Sequence, residues 1–341
     1  MTFHRMFRTG VAAAMLLAGA VVTVGAGESR TVVDMARREV KIASPVEKIA
    51  TQGSVPVINS FVFAVGAGAK IVNGLPDFAR NPRWRYQTVF APTMADKPMM
   101  QGPDRAPDVE KLLAARPDVV FTMDRPVADQ LFGLGLPAVF LSWREPEDAK
   151  KALKLVADIL GDPDSARRYD AYFDGTIARV AARLAAAKAE RPKVLYLAAG
   201  AMQQPHLIVE WWIAAAGGTS VTDDGRKTEA RSVTMEQVLE WNPDVLVLGS
   251  PSDVAVIAKD ARFAAVKAVR DKRVHVAPVG AHTWANRTIE TPLTVLWAAS
   301  KIHPAAFADL DLVAEVRGFY RDFFRTELTI EQVKEIIDAG P

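Results

Sequence analysis

The chain has 341 residues, half of them hydrophobic and 24% charged, with a formal net charge of +2. Cysteine is absent, which excludes disulfides, thiolate metal sites and a cysteine nucleophile together. No polybasic or polyacidic tract is present, so there is no nucleic-acid footprint, and the length suffices for two cores of ordinary domain size.

In chain order, the first signal is at the N-terminus. Residues 1–10 carry Arg5 and Arg8 and no acid, residues 11–24 are almost wholly apolar, and Val24-Gly25-Ala26 are small. A charged start, a short apolar run and a small-residue exit predict a secretory signal peptide over 1–26, cleaved near Ala26. The apolar run of roughly 14 residues is short for a membrane span, which needs about 20. The exit has no cysteine to carry a lipid, so a freely soluble chain in a Gram-negative periplasm is expected. Losing Arg5 and Arg8 takes the net charge from +2 to 0.

Residues 31–42 read as a hairpin. Residues 46–50 read as a strand ending at the polar loop Thr51-Gln52-Gly53-Ser54, 56–65 as a helix stopped by Gly66 and Gly68, and 70–73 as the next strand. Alternating strands and helices predict parallel sheets with crossover helices. An internal repeat sharpens this. Glu110 and Glu236 each precede a proline by seven residues, and Pro117-Asp118 and Pro243-Asp244 each open a hydrophobic strand. Further strands are expected at 138–142 and 273–277. Between the copies, 164–189 has no proline and only Gly175, after the capping sequence Asp162-Pro163-Asp164-Ser165. Such a helix would span roughly 35–40 Å at 1.5 Å per residue. It serves either as a rigid strut between two lobes or as one more packed helix. The expected organisation is an α/β fold of two Rossmann-like lobes with parallel sheets, 27–163 and 191–341, joined by a long helix over 164–190.

These features resemble the class III periplasmic substrate-binding proteins of ABC importers, whose cargoes include iron-siderophores, haem, vitamin B12 and some metal or oxyanion ligands. The resemblance rests on Val46-Glu47-Lys48-Ile49, on both Glu-to-Pro-Asp units and on the helix between them. It rests also on the C-terminal run Trp284 to Glu290, Leu296-Trp297, His303-Pro304 and Phe319 to Phe324, which is similar to the branch handling iron chelates, nickel chelates and molybdate or tungstate. The resemblance implies a single helix joining the lobes, a ligand in the cleft between them, modest movement on binding, and one glutamate per lobe docking to arginines of a permease dimer. The matching residues are Glu110 and Glu236. Both also sit in first helical turns, where a carboxylate is a capping group favoured by the helix dipole.

In open α/β sheets ligands gather beyond the carboxyl ends of the strands. That rule selects Thr51, Gln52, Ser54, Met100, Gln101, Met123, Asp124, Arg125, Trp143 and Arg144 from the first lobe. From the second it selects Gln203, Gln204, His206, Ser250, His282, Trp284 and Arg287. Arg287 leads, because a guanidinium is a permanently charged fork suited to carboxylate, hydroxamate, catecholate or oxyanion; its alternative is a helical salt bridge to Glu290. Arg144 faces it from the other lobe. Trp143 and Trp284 are apolar walls or core residues. Trp211-Trp212 includes at least one packing residue. The histidines form no metal-cage spacing; His275 and His303 read as structural, while His206 or His282 would complete the coordination of a chelated metal. A monomer without resident cofactor is expected, whose ligand carries its own metal, such as Fe(III). A ferric siderophore is the expected cargo; molybdate or tungstate, a nickel chelate, haem or a corrinoid are the alternatives. No nucleophile elbow, P-loop or dinucleotide fingerprint supports a secreted α/β enzyme, and an adhesion protein would not need two repeated units.

Overall fold

A computed structural model describes Met1 and residues 28–339. The rest of the expected export segment lies outside the described residues. The chain enters through an antiparallel hairpin, β1 (Glu28–Val33) and β2 (Glu39–Ser44), paired from Glu28↔Ser44 to Val33↔Glu39. Asp34 ties its turn by accepting the backbone N–H groups of Ala36 and Arg38. There follow β3 (Ile49–Gln52), α1 (Val55–Ala64), α2 (Tyr86–Phe90), α3 (Val109–Ala115), β4 (Val119–Thr122), α4 (Arg125–Gly133), β5 (Ala138–Phe140) and α5 (Pro146–Leu160). β3, β4 and β5 form a parallel sheet in that order. The strand expected over 70–73 shrinks to one parallel bridge, Ile71 to Ile49. Its place in the ladder is taken by a side chain, because Asn73 Oδ1 accepts the Thr51 N–H at 2.8 Å.

α6 (Pro163–Ala186) leads into the second half, capped by Asp162, whose side chain accepts the Ser165 N–H. Then come β6 (Lys193–Leu197), β7 (Gln203–Gln204), α7 (Ile208–Ala215), β8 (Thr219–Ser220), β9 (Arg231–Ser232), α8 (Met235–Trp241), β10 (Val245–Leu248), α9 (Pro251–Lys259), α10 (Lys267–Arg270) and β11 (Val274–Val276). The parallel order is β11-β10-β6-β8, with β7 and β9 as a small antiparallel ribbon. α11 (Thr291–Ile302), α12 (Leu312–Phe324) and α13 (Ile330–Ile337) close the chain.

The repeated Pro-Asp stop has a local cause. α3 and α8 each end in a left-handed residue, Arg116 and Asn242, and a proline then forbids further helix. The aspartates anchor the next strand. Asp118 accepts the N–H groups of Glu47 and Lys48 at 2.7 and 2.8 Å, and Asp244 accepts that of Lys193 at 2.8 Å.

Strand alternation divides the interior. Val119 and Phe121, like Val194, Tyr196, Val245 and Val247, face a continuous core shared by both halves. Val120 faces a small cluster with Leu112 and Leu131, and Leu195, Leu197, Leu246 and Leu248 face another with Val238 and Phe263. Strands buried on both faces read as continuous apolar runs, as parallel sheets require. α6 links the two halves and is packed along one face. Its buried face, Ala166, Tyr169, Phe173, Thr176 and Val180, packs on the shared core. Arg179–Glu315 and Arg183–Asp309 ion pairs strap it to the C-terminal helices and the turn before them. Among the described residues no helix is long and apolar enough to cross a membrane.

Candidate ligand cleft

The carboxyl ends of both sheets open onto three adjoining cavities of about 470, 310 and 360 Å³. Ser54, Met123, Asp124, Trp143 and Arg144 come from the first-sheet strand ends; Ala198, Gly249 and Ser250 come from the second. His206 and His282 line both the first and second cavities, and Arg287 links the second to the third. This is the crevice that the strand-end rule predicts.

The second-lobe wall is the loop over 278–290, held from beneath by a buried carboxylate. Glu290 accepts the backbone N–H of Ala281 at 2.8 Å, that of His282 at 3.3 Å and the Tyr320 hydroxyl at 2.6 Å. Burial pushes its carboxyl up to about 7, against the pull of those donors. Gly280 is required here, since a Cβ would collide with the Tyr320 hydroxyl and the Glu290 carboxylate. Glu290 is therefore not the partner of Arg287. The guanidinium bonds instead to Glu229, Nη1 to Oε1 at 2.8 Å.

Two imidazoles face this space. His282 packs on Trp84 with ring centroids 4.5 Å apart, and its Nδ1 lies 3.4 Å from the Thr283 carbonyl. A donor at Nδ1 leaves Nε2 with a free lone pair. Burial, with His206 nearby, pushes the His282 imidazole down to about 3. Burial and then Arg287 push His206 down to about 4, and its buried Nδ1 has no protein partner. Both rings are thus neutral at pH 7 and hold the form that ligates metals. Among the described residues no group of three or more His, Cys, Asp or Glu could hold a metal ion.

Arg83 crosses from the first half to the second, donating to the Gly249 carbonyl and to Thr283 Oγ1 at 3.0 Å. Burial lowers its guanidinium below the ordinary value, opposed by Tyr196 and Asp253. Gln87 reaches the Ala281 carbonyl, Trp143 Nε1 lies 3.4 Å from the Arg287 carbonyl, and Tyr169 donates to the Ile289 carbonyl at 2.9 Å. These cross-links brace the cleft on both sides.

Several expected contacts are not brought to the cavities. Gln52 is fully buried, and strand alternation sends its side chain to the Ala50 side of β3. Gln101 is buried and spends its amide on Gly53, at 2.8 Å to the N–H and 3.1 Å to the carbonyl, so it shapes the turn instead. Trp284 is fully buried under its loop, and Gln203, paired through its backbone in the β7–β9 ribbon, lines none of the three cavities. Trp143 is both core and wall, packed 4.3 Å from Phe61. Phe78, Arg83, Trp84, Arg105, Tyr196, Glu229, Asp253 and Asn286 line the cleft without having been expected. Four of them sit in the irregular stretch 74–107, where the run Arg80-Asn81-Pro82-Arg83-Trp84-Arg85 was the available signal. Glu110 and Glu236 are exposed, and the caps of their helices are Asp108 and the Thr234–Gln237 box.

A family model described as periplasmic binding protein matches residues 61–279. The molybdate-binding protein MolA of Haemophilus influenzae is 27% identical over 262 residues, covering 67% of this chain and 72% of that protein. A periplasmic solute binding protein from Veillonella parvula superposes with a TM-score of 0.78 at 26% identity, covering 91% of this chain and 97% of the other. The molybdate-bound MolA structure gives 0.76 at 22%, covering 88% and 99%. The Helicobacter pylori CeuE Ni-His complex gives 0.73 at 21%, covering 91% and 99%.

Proposed function

Because the chain belongs to the periplasmic binding protein family, the ligand-capturing components of ABC transporters, we propose that it captures an anionic metal chelate, with a ferric siderophore as the cargo, and delivers it to a permease dimer. The observation that carries this reading is the cleft itself. Two neutral imidazoles face one space, and the guanidinia of Arg83, Arg105, Arg144 and Arg287 surround it. Cavities of a few hundred cubic ångströms suit an organic ligand of drug size. Two imidazoles are too few to cage a bare ion but enough to fill positions that a chelator leaves open. In this reading Arg287 and Arg144 hold the anionic periphery, Trp143 and Trp84 are walls, and His206 and His282 meet the metal. No resident cofactor is needed.

Export through a signal peptide over 1–26 belongs to the same proposal. So does docking through Glu110 and Glu236. Support comes from their equivalent positions in the repeat, their exposure, and the assignment of the capping roles to Asp108 and Thr234. Molybdate is a second reading, favoured by the 27% identity to a molybdate-binding protein. A thermal-shift series separates them, since stabilisation grows with the logarithm of ligand concentration over Kd. Ferric siderophores should raise Tm and molybdate should not. Stabilisation by molybdate alone would replace the chelate reading with the oxyanion one.

A further inference from the structure

The cleft already contains an anion of its own. Glu229 stands on the excursion between β8 and β9, with its Oε1 on Arg287 and its Oε2 accepting the Leu207 N–H at 3.2 Å. The excursion is anchored. Arg226 bonds to Glu210 and to the Thr222 carbonyl, and Arg231 bonds to the same carbonyl at 2.8 Å and to Asp224 at 2.7 Å. The Glu229 carboxylate is therefore held where it is. The other two cleft carboxylates are committed elsewhere: Asp124 accepts the Val127 N–H at 3.2 Å and Asp253 accepts that of Gly200 at 2.9 Å. Glu229 engages the guanidinium through Nη1, while the Arg287 Nε is buried without a protein partner.

We propose that Glu229 is a specificity-determining residue: an internal counter-anion that pairs with Arg287 and sets how much negative charge a ligand must bring to take its place. The proposal rests on the cleft reading above. A ligand anion competes with a carboxylate already bound to the same guanidinium, so weakly charged ligands gain little from Arg287. A strongly anionic one displaces Glu229 from the guanidinium. Removing the internal charge should then favour anionic ligands selectively, because a neutral ligand has no claim on Arg287.

The test is E229Q, which keeps the shape and an oxygen for the Leu207 N–H, with E229D as the charge-retaining control. Dissociation constants are measured by calorimetry for a ferric tris-catecholate, which is a trianion, and for neutral ferrichrome. E229Q should bind the trianion about tenfold more tightly while ferrichrome changes less than about twofold, and E229D should match wild type. An unchanged ratio of the two constants, or weaker trianion binding in E229Q, overturns the role of Glu229 and leaves the chelate reading standing. If wild type binds neither probe, the chelate reading fails and the proposal fails with it.

Discussion

The two halves of the molecule are alike on the outside and unlike inside. On the outer surface α3 and α8 repeat one design: an exposed glutamate in the first turn, a left-handed stop, a proline and an aspartate anchoring the next strand. At the cleft the likeness ends. The first-lobe face presents the loops that follow its strands, with Asp124 and Arg144 exposed. The second-lobe face is the 278–290 loop, clamped on Glu290, Tyr320 and Tyr169. Repetition outside suits a partner that offers the same surface twice, and asymmetry inside suits a ligand with a charged periphery and one metal centre.

Charge reversal on the outer surface separates outside from inside. E110K/E236K should abolish uptake while leaving ligand Kd within about twofold, measured by transport in vesicles and by calorimetry. Normal uptake would remove the docking role. Next is the clamp. E290A leaves two backbone N–H groups and a hydroxyl unpaired in the interior, and should lower stability by about 3 kcal/mol in urea unfolding. A change below about 1 kcal/mol would mean the loop does not depend on it.

The two faces should also differ in their arginines. R287A, on the clamped face, should weaken binding of a ferric tris-catecholate about tenfold, and R144A, on the exposed face, about threefold, with folding intact in both. Equal effects would erase the distinction between the faces.

Acidification probes the buried histidines. In the folded chain His206 and His275 are pushed down to about 4 and His282 to about 3, from an ordinary 6.5. Between pH 6.5 and about 4 the unfolded chain binds more protons, so stability falls as pH falls. Glu290, raised from 4.5 to about 7, acts oppositely: the folded chain binds more protons across that window, and stability falls as pH rises through it. Three histidines outweigh one glutamate, so Tm should drop on acidification from pH 7 to 4, and H206N/H282N should flatten that limb. An identical acid limb in the double variant would contradict the burial argument.

The topology was legible because the repeated stops and the strand pattern act locally, in propensity and capping. The location of the cleft was legible for a related reason, since strand ends can be read from periodicity. Side-chain direction at a strand end was not. Gln52, Gln101 and Trp284 sit one residue or one turn from the cavity and point into protein, which depends on packing from distant elements. Phe78, Arg83 and Trp84 were hidden because 74–107 has no period to read. Glu229 was hidden because its partner, Arg287, lies 58 residues away along the chain.

Whether the cleft takes a metal chelate is decided by titrating the protein calorimetrically with one anionic siderophore, with and without its iron. Capture through the metal and the folded anionic periphery predicts a micromolar or tighter Kd for the ferric form, and binding at least about a hundredfold weaker for the iron-free chelator. Equal affinity for the two forms, or no binding to either, would contradict it.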